Sequence, residues 1–114
     1  MAENLLRKVD VDWLLTIYGA MLTDKQREIA TLYFEEDLSL AEIAQQEGVS
    51  RQSVHDTLQR VEKQLRTWED KLKMRSRLTN VQNSLEEALE ALDQPGIARK
   101  SIEKALSLLT DEED

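Results

Sequence analysis

Cysteine is absent from this chain, so it has no disulfide framework, thiolate metal site or thiol nucleophile, and its composition suits a reducing compartment. Histidine occurs once, too little for any of the usual metal-ligand constellations, and no metal or cofactor is expected. The three glycines, Gly19, Gly48 and Gly96, stand too far apart to make a phosphate-cradling loop. Proline also occurs once, while Leu, Glu, Gln, Lys and Ala dominate, so helix is favoured nearly everywhere and the fold class reads as all-α. No apolar run approaches a membrane span in length, and charges interrupt the opening MAENLLRKVDVDW too often for a signal-peptide core. The expectation is a cytoplasmic protein without membrane insertion.

A length of 114 residues suits one small domain, or a compact module with an arm. The net charge of −8 is unevenly spread. Residues 1–49 carry four Lys/Arg against ten Asp/Glu, residues 50–77 carry eight against four, and residues 78–114 carry three against nine. A basic middle between acidic ends is either a solvated helix face or a local contact for an anionic partner, set within a field that repels phosphate overall.

Apolar periodicity begins with Trp13, Leu14, Ile17, Tyr18, Met21 and Leu22, the stripe of a first amphipathic helix with Asp10 and Asp12 at its positive end. Thr23 followed by Gln26 has the form of a capping box and opens a second helix burying Ile29, Leu32 and Tyr33. Ser39 and Glu42 repeat that signal for a short third helix with Ile43 inward. Gly48 should end it, with Val49 tucked inward and Ser50 capping the next helix. From there Val54, Leu58, Val61, Leu65, Trp68 and Leu72 recur at steps of four and three, the mark of one long fourth helix.

That seam fails at residues 73–77, and a second one, Met74, Leu78, Val81, Leu85, Ala88 and Leu92, runs with the same step displaced by two residues. Either the helix continues from 51 to 92 with nearly opposite faces buried, or it breaks near Ser76. Pro95 and Gly96 end it, and Ile97, Ile102, Ala105, Leu106 and Leu109 mark a last helix that folds back as a hairpin. The expected organisation is a helix-turn-helix domain over residues 1–75 and a C-terminal helical extension over residues 76–114, packing on it or on a partner chain.

With Gly48 as the turn glycine, Ile43, small Ala44, Val49, branched Val54 and Leu58 fall where a helix-turn-helix needs them. The stretch LSLAEIAQQEGVSRQSV, Leu38 to Val54, resembles the last conserved region of bacterial sigma factors, a winged-helix-like or sigma-factor-type DNA-binding fold. The resemblance implies that Arg51 and Gln52 read base edges, that Ser53 and His55 lie near phosphate with Ser50, and that Gln59, Arg60 and Lys63 follow along the solvent face. Asp56 departs from that pattern. An aspartate in a major groove meets phosphate repulsion and finds only the cytosine amino group as a ready base partner.

A second resemblance covers roughly residues 13–75: LTDKQ at Leu22–Gln26, LYF at Leu32–Phe34, EDLSL at Glu36–Leu40, VSRQSVHD at Val49–Asp56 and EDKL at Glu69–Leu72 look like the YlxM family of helix-turn-helix proteins. That likeness implies a non-enzymatic accessory protein of the signal recognition particle pathway, with the particle's RNA, its GTPase protein, or both as partners. In that family Asp56 is a regular feature, which points away from ordinary promoter DNA. Two other readings stand beside it: a DNA-binding transcriptional regulator, and a helical adaptor whose seams make a homodimer. Ser50, Ser53 and His55 lie within two helical turns but lack an orienting third group and an oxyanion hole, so no catalysis is expected.

Overall fold

The computed structural model describes residues 2–110, with side chains from residue 7 onward, and among these residues there are helices and no strand. The order is α1 (Ala2–Tyr18), a 3-10 turn (Gly19–Met21), α2 (Asp24–Phe34), α3 (Leu40–Glu47), α4 (Arg51–Leu72), α5 (Met74–Glu90) and α6 (Pro95–Thr110). The all-α helix-turn-helix class is thus the one observed, in the sigma-factor style without a β wing among the described residues. Two compact units divide between Leu72 and Lys73.

In the first unit α1, α2 and α3 pack on α4, whose buried stripe is Val54, Leu58, Val61 and Leu65. Each such side chain stabilises the fold by roughly 1.5–3 kcal/mol relative to exposure. Val11, Leu14, Leu15, Tyr18 and Leu22 cover the stripe from one side, Ile29, Ala30 and Leu32 from α2, and Ile43 and Ala44 from α3. Trp68 lies half-buried against Tyr18, ring centroids 6.4 Å apart, and the Tyr18 hydroxyl donates to Glu69 at 2.7 Å.

Local signals place the elements. Both capping boxes form: the Gln26 amide donates to Thr23 Oγ1 at 3.2 Å and the Glu42 amide to Ser39 Oγ at 3.1 Å, each answered by the reciprocal bond. The carboxyl of Glu42 is held below its ordinary value by the Ser39 N–H it accepts. Gly48 takes the left-handed conformation at φ 69°, and its N–H closes on the Ala44 carbonyl. Ser50 Oγ accepts from the Ser53 amide at 3.0 Å and starts α4.

Three expectations are corrected and one left open is decided. α1 begins at Ala2, so Asp10 and Asp12 lie inside it rather than at its positive end, and Val11 and Leu15 enter the core while Trp13 and Met21 stay exposed. Val49 is not tucked inward; the left-handed step at Gly48 turns its side chain toward solvent, leaving it 37% exposed. Of the two alternatives for residues 51–92 the broken helix is the one observed, with the break a few residues before Ser76: α4 stops at Leu72, and Lys73, at φ 57°, makes the interruption. Finally, the hairpin of α5 and α6 buries Val81, Ser84, Ala88 and Ala91 against Ala98, Ser101 and Ala105, leaving Leu78, Leu85 and Leu92 of the expected seam exposed. Small side chains let the two backbones approach closely, which a leucine seam does not.

A methyl group on Gly48 would meet nothing within 4 Å, so Gly48→Ala tests backbone strain alone. We expect a loss of about 1–2 kcal/mol in urea unfolding, with unchanged slope, and partial recovery in Gly48→Asn.

Candidate nucleic-acid interface

Seven side chains were expected to form the interface, and α4 exposes all of them: Arg51, Gln52, Ser53, His55, Gln59, Arg60 and Lys63. The helical repeat sorts them. Gln52, Gln59 and Lys63, together with Asp56, form a ridge opposite the buried stripe, Ser53 and Arg60 flank it on one side, and His55 lies on the other. Asp56 therefore sits in the middle of the surface that a helix-turn-helix would present to nucleic acid.

Its contacts explain its effect. Gln52 donates from Nε2 to Asp56 Oδ1 at 2.9 Å, and His55 Nδ1 lies 3.6 Å from the same oxygen. A carboxylate only accepts, so the nitrogen of the Gln52 amide is the atom turned toward it. Bidentate reading of adenine needs both the donor and the acceptor of a glutamine amide. With one of its two N–H groups on Asp56, Gln52 is held against the ridge and keeps its second N–H and its carbonyl oxygen for a ligand.

A cavity opens beside this ridge. Its lining includes Tyr33, Phe34 and Leu40 together with Arg7, Lys8, His55 and Gln59, and it has a volume of about 250 Å³. The Tyr33 and Phe34 rings meet edge-on with centroids 5.0 Å apart, and Lys8 Nζ lies 4.2 Å over the Tyr33 ring. Both rings are only partly buried, so they are neither pure core nor a fully exposed docking surface. Lys8 also pairs with Asp37 at 2.8 Å, which holds that carboxyl below its ordinary range.

Sequence reasoning missed the ion pairs that hold α1 to α4 at the cavity's edge. Arg7 donates to both Glu62 oxygens, at 2.6–3.1 Å, and Arg66 bridges Glu62 at 3.1 Å to Asp10 at 3.0 Å. Burial pushes the Glu62 carboxyl up, but its hydrogen bonds to Arg7 and Arg66 and their charges outweigh this and hold it below the ordinary glutamate value. Glu62 and Arg66 stand four apart on α4, a spacing visible in the sequence. The partners 55 and 56 residues away, Arg7 and Asp10, leave no local signal. Among the described residues no group of acids and histidine is placed to hold a metal ion, and no helix is long and apolar enough to cross a membrane.

The family described as "Putative helix-turn-helix protein, YlxM / p13 like" matches residues 5–110. A UPF0122 protein of Desulforamulus reducens is 44% identical over 94 residues, covering 81% of this chain and 80% of the relative. One from Clostridium perfringens is 36% identical over 97 residues, 85% of this chain and 87% of the relative. One from Thermoanaerobacter sp. is 42% identical over 80 residues, 70% and 68% of the two chains.

Because its folded-state pKa is depressed, Glu62 contributes stability that is fully present above the unfolded value of about 4.3 and is lost as pH falls through the folded one. Glu62→Gln should cost about 1 kcal/mol at pH 7. The gap from wild type should narrow on acidification below pH ~4, read as paired urea melts across the pH range.

Proposed function

Since the chain belongs to the UPF0122 family of YlxM/p13-like helix-turn-helix proteins, we propose that it is a non-enzymatic regulatory protein whose α4 meets nucleic acid. We infer further that its ligand is the RNA of the signal recognition particle, bound alone or together with the particle's GTPase protein in the cytoplasm. The signal recognition particle enters through the likeness of Leu22–Leu72 to the YlxM pattern.

The observation that carries RNA over promoter DNA is the Gln52–Asp56 bond. It occupies one of the two donors of a base-reading amide and holds it beside a negative charge at the centre of the ridge, where a duplex groove would bring phosphates. Structured RNA is recognised through backbone, shape and unstacked bases rather than groove edges. The cavity beside His55 and Gln59 supplies what an unstacked base requires, two aromatic rings with Arg7 and Lys8 nearby. Arg51, Arg60 and Lys63 supply the positive charge for the backbone. The bonded Gln52 stands against the sigma-factor-like alternative of a sequence-reading transcriptional regulator, though the helix-turn-helix shape itself fits both.

The test is fluorescence anisotropy with the particle's RNA and with a mixed-sequence DNA duplex across a salt series. Wild type should favour the RNA. Replacing Arg51, Arg60 and Lys63 with Gln should reduce the slope of log affinity against log salt by about 2–3. Asp56→Ala frees Gln52 and removes a charge, so duplex affinity should rise by about tenfold. Equal affinity for both ligands, or a slope indifferent to the three cations, would overturn the RNA reading. Capture from nuclease-treated lysate separates the GTPase protein from contacts that run through RNA.

A further inference from the structure

The cavity beside α4 is lined by charged side chains and is nonetheless close to neutral. Arg7 and Arg66 pair with Glu62 and Asp10, and Lys8 pairs with Asp37, so three cations meet three carboxylates. Asp56 adds a further negative charge, 3.6 Å from the Nδ1 of His55, which lines the cavity. A phosphate entering there would find each of these cations already paired and would meet net repulsion.

Hydrogen-bonding capacity does not follow charge. Arg7 spends Nε and Nη2 on Glu62, which leaves Nη1, and Asp37 takes one of the three N–H groups of Lys8. Gln59 makes no hydrogen bond among the described residues, so its amide offers a donor and an acceptor side by side. The wall is thus rich in N–H donors at little net charge. A carbonyl oxygen satisfies such a wall, because it accepts as a phosphate oxygen does without bringing a charge.

The remaining lining suits a planar ring. Tyr33 and Phe34 meet edge-on at 5.0 Å, Leu40 and Leu58 supply apolar surface, and the volume is about 250 Å³. Lys8 Nζ is held 4.2 Å over the Tyr33 ring, so donors and aromatic surface lie together.

We propose that this cavity is a pocket for one unpaired base carrying a ring carbonyl beside a ring N–H, guanine or uracil, and that Gln59 reads that edge. The Gln59 carbonyl accepts from the ring N–H while its amino group donates to the ring carbonyl, and Lys8 and Arg7 supply further donors to the same oxygen. Adenine and cytosine also complement a glutamine amide, but their amino group would bring N–H against the N–H groups of Lys8 and Arg7. RNA as the source of the base rests on the function proposed above; the pocket itself does not.

Inosine and adenosine differ only at this edge and carry no phosphate, so they are the probes. Titrated into the full chain and followed by proton–nitrogen correlation spectra, inosine should shift the Gln59 side-chain signals and the backbone signals of Tyr33 and Phe34. It should bind at least about fivefold tighter than adenosine, equally at low and high salt, and inosine monophosphate should bind no tighter. Gln59→Leu, at an exposed position, should abolish the shifts at Tyr33 and Phe34, and Lys8→Met should bring inosine and adenosine together. In the RNA titration Gln59→Leu should weaken binding at least about fivefold with the salt slope unchanged. Inosine binding together with RNA affinity indifferent to Gln59 would make a free nucleoside the ligand of the pocket. Three results would overturn the proposal: no inosine binding up to its solubility, adenosine binding as tightly as inosine, or inosine monophosphate binding more tightly than inosine. None of these touches the RNA contacts of Arg51, Arg60 and Lys63, which fail or hold by the salt slope alone.

Discussion

Everything in the first unit depends on one helix burying one narrow stripe. Val54, Leu58, Val61 and Leu65 of α4 are the surface on which α1, α2 and α3 are assembled, and each lies within a turn of a residue expected to meet the ligand. That shared scaffold fixes the ridge rigidly: Gln52, Asp56, Gln59 and Lys63 cannot rotate away without lifting four core side chains. The ion pairs of Arg7 with Glu62 and of Asp10 with Arg66 pin α1 along the same helix, and Arg7 and Glu62 line the cavity. A site built on the reverse of a core stripe is positioned at little entropic cost when it binds.

How much of this was legible depended on whether the determinant is local. The capping boxes at Thr23 and Ser39, the left-handed turn at Gly48 and the Ser50 cap were all readable, because each is fixed by side chains within four residues of the backbone they control. The start of α1 was not. Arg7, Lys8 and Asp10 find their partners far along the chain, so the segment carries little local signal of the helix it forms. Trp13 was misplaced for a related reason: hydrophobicity marks a residue as wanting burial, yet Val11 and Leu15 fit the closely packed crossing with α4 and the indole does not.

The hairpin shows the same limit from the other direction. Counting apolar residues at steps of four and three found a seam of which Val81 and Ala88 lie where α5 meets α6, while Leu78 and Leu85 stay exposed. Alanine and serine give a weak hydrophobic signal and a strong packing one, since they permit backbones to come close enough for dispersion contacts along the whole contact line. A sequence read by hydrophobicity alone cannot tell a face packed within a unit from one left exposed. Burial separates them.

The candidate interface was legible as a set of exposed positions and not as chemistry. All seven side chains are exposed on α4, as residue spacing required, but a list of donors and acceptors says nothing about which are already spent. Asp56, four residues on from Gln52, bonds the amide that the helix-turn-helix pattern would have assigned to a base. The aspartate thus acts in two ways at once, through its charge and by occupying its neighbour. A helix can keep the outline of a DNA reader, with its capped start and packed stripe, while one carboxylate at i+4 occupies a donor of its amide and adds a negative charge to its surface.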